Sequence, residues 1–161
     1  MIRDAALSDL PAIVDIYNAA IPGRLATADT TPVSIDSRRA WFDAHVPAKR
    51  PLWVLDDGGA LAAWASLQSF YGRPAYDATV EFSIYVAQTH LRRGLGGTLM
   101  RHIFDCCPSL AVETLIGFVF AHNAPSLRLC ESFAFERWGL LPRVARLDGV
   151  ERDVVILGRR L

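Results

Sequence analysis

A two-residue alternation runs from Thr79 to Val86: Val80, Phe82, Ile84 and Val86 fall on one side, Glu81, Ser83 and Tyr85 on the other. That pattern predicts a strand with one apolar and one polar face. Upstream, Leu10, Ile13, Val14, Ile16 and Tyr17 repeat at helical spacing, with Ser8 as N-cap, Pro11 in an early turn and Pro22-Gly23 as the stop. A polar loop from Arg24 to Pro32 leads to a second helix, from Ser34 or Asp36 to about His45, with Trp41 and Phe42 facing inward. Leu52 to Leu55 and Leu61 to Phe70 read as two strands joined by a tight turn at Asp56-Asp57-Gly58-Gly59. Leu95, Leu99, Met100, Ile103 and Phe104 form a helical stripe closed by Pro108, and Leu115 to Phe120 is a buried strand. Asn123 caps one more helix, with Pro125 in its first turn, and two last strands flank Leu147-Asp148-Gly149. With Ile2 to Ala5 as an opening strand, this order predicts an α/β fold: a mixed sheet with helices on both faces.

The chain has 161 residues, no internal repeat and no stretch that reads as a linker, so residues 1–161 are expected to form a single domain. Its 52% hydrophobic content is too apolar for disorder. Seventeen basic and 17 acidic residues cancel, which argues against a general nucleic-acid binder and leaves room only for a local positive patch. No apolar run reaches the ~20 residues of a membrane span. Met1-Ile2-Arg3-Asp4 lacks the basic-then-apolar layout of a signal peptide. Cys106, Cys107 and Cys130 are odd in number and two are adjacent, a poor disulfide framework and a poor metal pattern. The expectation is reduced thiols, a cytoplasmic protein and no metal.

Candidate chemistry concentrates in Arg92-Arg93-Gly94-Leu95-Gly96-Gly97-Thr98, between the alternating strand and a helix. Glycines let main-chain amides approach an anion; a helix N-terminus adds partial positive charge and two arginines add full charges. The spacing is neither a P-loop nor a dinucleotide fingerprint. Taken alone, the stretch is equally a flexible helix start. Glu81 shares its strand face with Ser83 and Tyr85, either as a solvated carboxylate or as a base. Arg73 is either a turn residue or an anion clamp.

The window Leu91-Arg92-Arg93-Gly94-Leu95-Gly96 resembles the acyl-CoA pyrophosphate loop of the GNAT superfamily of N-acetyltransferases, Gln/Arg-x-x-Gly-x-Gly/Ala, with Leu91 in place of Gln or Arg. Further resemblance to its phosphinothricin N-acetyltransferase branch lies in Ile2-Arg3-Asp4-Ala5, Asp9 to Ile13, Ile16-Tyr17-Asn18, Arg73-x-Ala75-Tyr76, Glu81-x-Ser83-Ile84-Tyr85-Val86 and Asn123-x-x-Ser126-x-x-Leu129-x-Glu131. The resemblance implies a mostly antiparallel sheet of about seven strands with a V-shaped splay between the fourth and fifth. It implies transfer of acetyl from acetyl-CoA to the primary amine of a small amino acid or analogue, with Glu81 as general base. The carrier would meet Ile84, Tyr85 and Val86, the loop residues Arg92, Arg93, Gly94, Leu95, Gly96, Gly97 and Thr98, and Asn123 and Ser126. The acceptor would meet Arg73, Tyr76, Ser83 and Tyr85. A homodimer is expected on the same ground.

Departures cluster on the acceptor side. Tyr71 replaces a basic residue, Ala26-Thr27-Ala28-Asp29 lacks an aromatic, Val150-Glu151-Arg152-Asp153 lacks a tryptophan, and Cys130 replaces His or Tyr. The acceptor pocket is therefore expected to differ while the carrier site is kept. Rival functions are acetylation of a peptide N-terminus or a polyamine, and a non-catalytic acyl-CoA sensor that would not need Glu81.

Overall fold

The computed structural model describes residues 1–161. In chain order the elements are β1 (Ile2–Asp4), α1 (Leu10–Ala20), α2 (Ile35–Asp43), β2 (Leu52–Asp57), β3 (Ala60–Ser69), β4 (Thr79–Val86), α3 (Leu95–Cys106), β5 (Thr114–Phe120), α4 (Ala124–Ser132), β6 (Glu136–Leu147) and β7 (Val150–Arg160). One seven-stranded sheet takes the order β1-β2-β3-β4-β5-β7-β6. Every neighbouring pair is antiparallel except β4 and β5. A parallel pair needs a crossover, and α3 supplies it.

Alternation sorts the two faces. Ala63, Ala65, Leu67, Val80, Leu115 and Leu157 join Leu99, Met100 and Ile103 of α3 and Leu127 and Cys130 of α4 in the larger core. The opposite face sets Leu52, Val54 and Trp64 against Ile13 and Ile16 of α1, with Tyr17, Trp41, Phe42 and Tyr85 around them. Each fully buried Leu or Ile stabilises the fold by about 1.5–3 kcal/mol over an exposed one.

One expected cap falls elsewhere. Asp9, not Ser8, organises the start of α1: its carboxylate accepts from the Ala6 amide at 2.7 Å and from Arg3 at 2.7 and 2.9 Å. Arg3 lies on β1 and also reaches Asp56 of β2, so a pairing across the sheet edge selects the carboxylate over the hydroxyl. Ser34 does cap α2, accepting from the Ser37 amide.

The β4–β5 ladder has three rungs, Thr79 with Thr114, Val80 with Leu115 and Glu81 with Ile116. Beyond them both strands continue, β4 to Val86 on β3 and β5 to Phe120 on β7, without touching each other's main chain. Where the ladder stops, the Phe82 ring lies over Gly117; a Cβ there would sit 2.8 Å from the ring. The bare glycine lets the ring fill the fork.

Candidate active site

Hydrogen-bond alternation identifies the main-chain groups that face this opening. Ala87 donates to Ala62 and Phe70 to Thr79, and Ala121 donates to Asp153. In antiparallel pairs the bonded residues recur every second position. Thus Glu81, Ser83 and Tyr85 bond across to β3, while Phe82, Ile84 and Val86 turn their N–H and C=O toward β5. On the other arm, Phe118 and Phe120 turn theirs toward β4. The Ile84 and Val86 main chain therefore borders the cleft, and the Tyr85 main chain bonds with Trp64.

At one end of the cleft, Gly94 takes φ +78° and α3 starts at Leu95. The first amides of a helix have no partner within it, which leaves those of Leu95, Gly96 and Gly97 as donors. Thr98 is tied back, its amide and its hydroxyl both donating to Gly94 O. Arg93 is held by Asp57 at 2.9 Å, whereas Arg92 is exposed and forms no ion pair. Asn123 is buried; its Oδ1 accepts from the Ser126 amide and its Nδ2 donates to Leu25 O. Its side chain thus caps α4 and fastens the α1–α2 loop. His122 Nε2 lies 2.7 Å from Arg24 O in the same clamp.

Glu81 occupies the last rung before the splay, between Gln68 of β3 and Ile116 of β5. It is half-buried and its carboxylate has no hydrogen bond or ion pair in the chain; burial pushes its pKa up. On the same face, Ser83 pairs with Ser66 and Tyr85 with Trp64.

Trp64, Ser66, Gln68, Ser83 and Tyr85, but not Glu81, form the floor of a cavity of about 170 Å³. Its walls are Ile13, Val14 and Tyr17 of α1, Val33 of the loop, and Arg38 and Trp41 of α2. Tyr17, Trp41, Trp64 and Tyr85 pack edge to face, tilted or stacked at centroid distances of 4.6–5.7 Å. The Tyr85 hydroxyl donates to Ala26 O; burial and the neighbouring Tyr17 raise its pKa. Tyr17 also titrates above its ordinary value, through burial and its bond to Asp29.

Of the expected acceptor residues, Ser83 and Tyr85 line the cavity; Arg73 and Tyr76 are exposed on the β3–β4 connection and do not. Arg38, Trp41, Trp64, Ser66 and Gln68 escaped sequence reasoning. A signal existed for the last three: they alternate along β3 opposite Tyr85, Ser83 and Glu81. Cys130 is buried, with a thiol pushed up to about 11 by burial. All three cysteines are free thiols. No helix is long and apolar enough to cross a membrane.

Against known proteins, the model of the acetyltransferase (GNAT) family matches residues 10–135. A candidate phosphinothricin acetyltransferase of Bacillus subtilis (strain 168), YwnH, is 45% identical over 99% of this chain and 98% of its own. An L-methionine sulfoximine/L-methionine sulfone acetyltransferase of Pseudomonas paraeruginosa is 31% identical over 97% of this chain and 91% of its own. The crystal structure of a phosphinothricin acetyltransferase from Sinorhizobium meliloti in complex with acetyl-CoA superposes with TM-score 0.93 at 28% identity, covering 100% of this chain and 88% of that one.

Proposed function

Because the chain belongs to the acetyltransferase (GNAT) family, we propose that it transfers acetyl from acetyl-CoA to the primary amine of a small amino acid or analogue of the phosphinothricin or methionine sulfoximine type. The observation that carries this reading is Glu81: a half-buried carboxylate without a partner, at the fork where β4 leaves β5 and across from Gln68 of the cavity floor. The cleft suits a carrier with amide groups and a diphosphate, since unpaired main-chain groups border it and a glycine-rich helix start closes one end. Ile84 and Val86 would meet the amides; Arg92 and the amides of Leu95, Gly96 and Gly97 would meet the diphosphate, with Arg93, Gly94 and Thr98 shaping the loop. Asn123 and Ser126 would border the carrier from α4. Bound there, acetyl-CoA supplies an activated acyl group.

The protein's own task is to deliver a neutral amine. An ammonium has no free electron pair, so a base must take one of its protons before the amine can attack. Glu81 accepts that proton, directly or through a water. Its raised pKa brings it nearer the working pH, where proton acceptance and later release are balanced. Ser83 and Tyr85 shape the acceptor side; Arg73 and Tyr76, outside the cavity, are proposed to guard its approach. We also read the protein as cytoplasmic, in line with its free thiols. A homodimer through β6 fits as well, since that outermost strand exposes Trp138, Leu140 and Val144 at 44%, 55% and 57%.

The test is thiol release from acetyl-CoA with amino acids, their analogues, polyamines and short peptides. Turnover confined to small amino acids and analogues is the expected result. Binding of CoA with no turnover on any amine would favour the acyl-CoA sensor.

A further inference from the structure

Eleven side chains line the cavity between α1, α2 and the sheet, and one of them is charged: Arg38. Its guanidinium lies 4.7 Å from the centre of the Tyr17 ring and 5.9 Å from that of Trp41. Nη2 donates to Asp29 Oδ2 at 2.9 Å, and Nε and Nη1 have no acceptor in the chain. Asp29 is fixed in turn by the Tyr17 hydroxyl, which donates to it at 2.5 Å. One edge of the fork is thus clamped, the guanidinium lies over the Tyr17 ring, and the other edge is open. A planar guanidinium held this way is suited to two oxygens on one centre.

Position along the sheet decides which part of the acceptor Arg38 can meet. It packs over Tyr17, which touches Tyr85, and beside Trp41, which touches Trp64. Arg38 therefore belongs to the Trp64–Tyr85 rung. Glu81 and Gln68 form the rung at the opposite end, with Ser66 and Ser83 between. Tyr85 is four residues from Glu81, about 14 Å at roughly 3.4 Å per strand residue. An amine whose proton goes to Glu81 leaves its α-carboxylate near the same end, because the two groups share one carbon. What extends toward Arg38 is the side chain.

We propose that Arg38 determines specificity by binding oxygens on a tetrahedral sulfur or phosphorus at the far end of the acceptor's side chain, as in a sulfone, sulfoximine or phosphinate. This rests on the acetyltransferase reading above. Between the two ends, Ser66 and Ser83 border the acceptor's methylene stem, and the aromatic rings surround its far end. Asp29 does not line the cavity; it aims the fork and removes one of its edges from use.

Steady-state kinetics of Arg38→Gln and Arg38→Lys with methionine sulfone, phosphinothricin, methionine and methionine amide test this. Gln keeps a polar side chain but no charge, so kcat/KM for the sulfone and the phosphinate should fall about ten-fold or more, mostly through KM, the scale of one charge-assisted bond. Methionine, which lacks those oxygens, should change less than about three-fold. Lys should recover part of the loss, since it restores charge without the fork. Equal losses for sulfone, phosphinate and methionine, with the amide spared, would assign Arg38 to the α-carboxylate and overturn the proposal. No change for any acceptor would overturn it too. Wild-type protein that turns over none of the four would instead strike the acetyltransferase reading itself.

Discussion

Burial makes the Glu81 carboxyl hold its proton more tightly in the folded chain than in the unfolded one. Below the unfolded value of about 4.3 both states are protonated and nothing is lost. As pH rises through the higher folded value, the buried charge lowers stability, and that penalty persists at neutrality. Glu81→Gln should therefore raise Tm at pH 7 and leave it little changed at pH 4. The same variant should lose about 10²–10⁴-fold in turnover at pH 7 and regain part of it at higher pH, where the amine deprotonates unaided. Calorimetry at the two pH values and a pH–rate profile check both halves. Cys130→Ala should cost only a few-fold, because a buried thiol titrating near 11 is a poor acid and is packed in the core. The reverse ranking would put proton transfer on the wrong side of the cleft. At this scale the alternation of β4 made Glu81, Ser83 and Tyr85 legible as one face. Arg38 was not legible, because its place depends on α2 folding over β3, a packing no local pattern encodes. Arg73 drew attention by its neighbours in sequence, yet it lies in a turn outside the cavity.

Among the elements, the start of α3 offers a clean separation of binding from folding. Gly96 is an awkward probe, since a Cβ there would come within 3.1 Å of Leu129 Cδ2. Arg92 is exposed and unpaired, whereas Arg93 is tied to Asp57. Arg92→Glu should weaken CoA binding about ten-fold, more at low salt than at high, with Tm unchanged. Arg93→Glu should weaken binding as well and place a second negative charge beside Asp57. Titration calorimetry at two ionic strengths checks the pair, and unchanged affinity in Arg92→Glu would remove the Arg92 side chain from diphosphate binding. The order of elements follows directly from the periodicities, because each is set by a local repeat of two or about 3.6 residues. The Asn123–Leu25 and His122–Arg24 clamps do not follow from them. They join positions 98 residues apart, and Asn123 read in sequence only as a helix cap or a carrier contact.

For the whole molecule, the outer strand β6 is the surface with most to gain from a partner. Leu140→Asp with Val144→Asp should give a monomer by sedimentation velocity where the parent chain sediments as a dimer; a parent chain that is already monomeric would end that reading. The interior holds a less visible property. A three-rung ladder in the middle of the sheet leaves the amides of Ile84, Val86, Phe118 and Phe120 without partners, although the strands around them are among the most protected places a fold has. In deuterated solvent these four should exchange orders of magnitude faster than Ala63, Ala65 or Leu115, whose amides lie in paired strands or the core. A fast-exchanging seam would thus run through the slowest part of the protein. Saturating CoA should slow Ile84 and Val86 while leaving the flanking strands as they were, which would separate a preformed cleft from one that opens on binding.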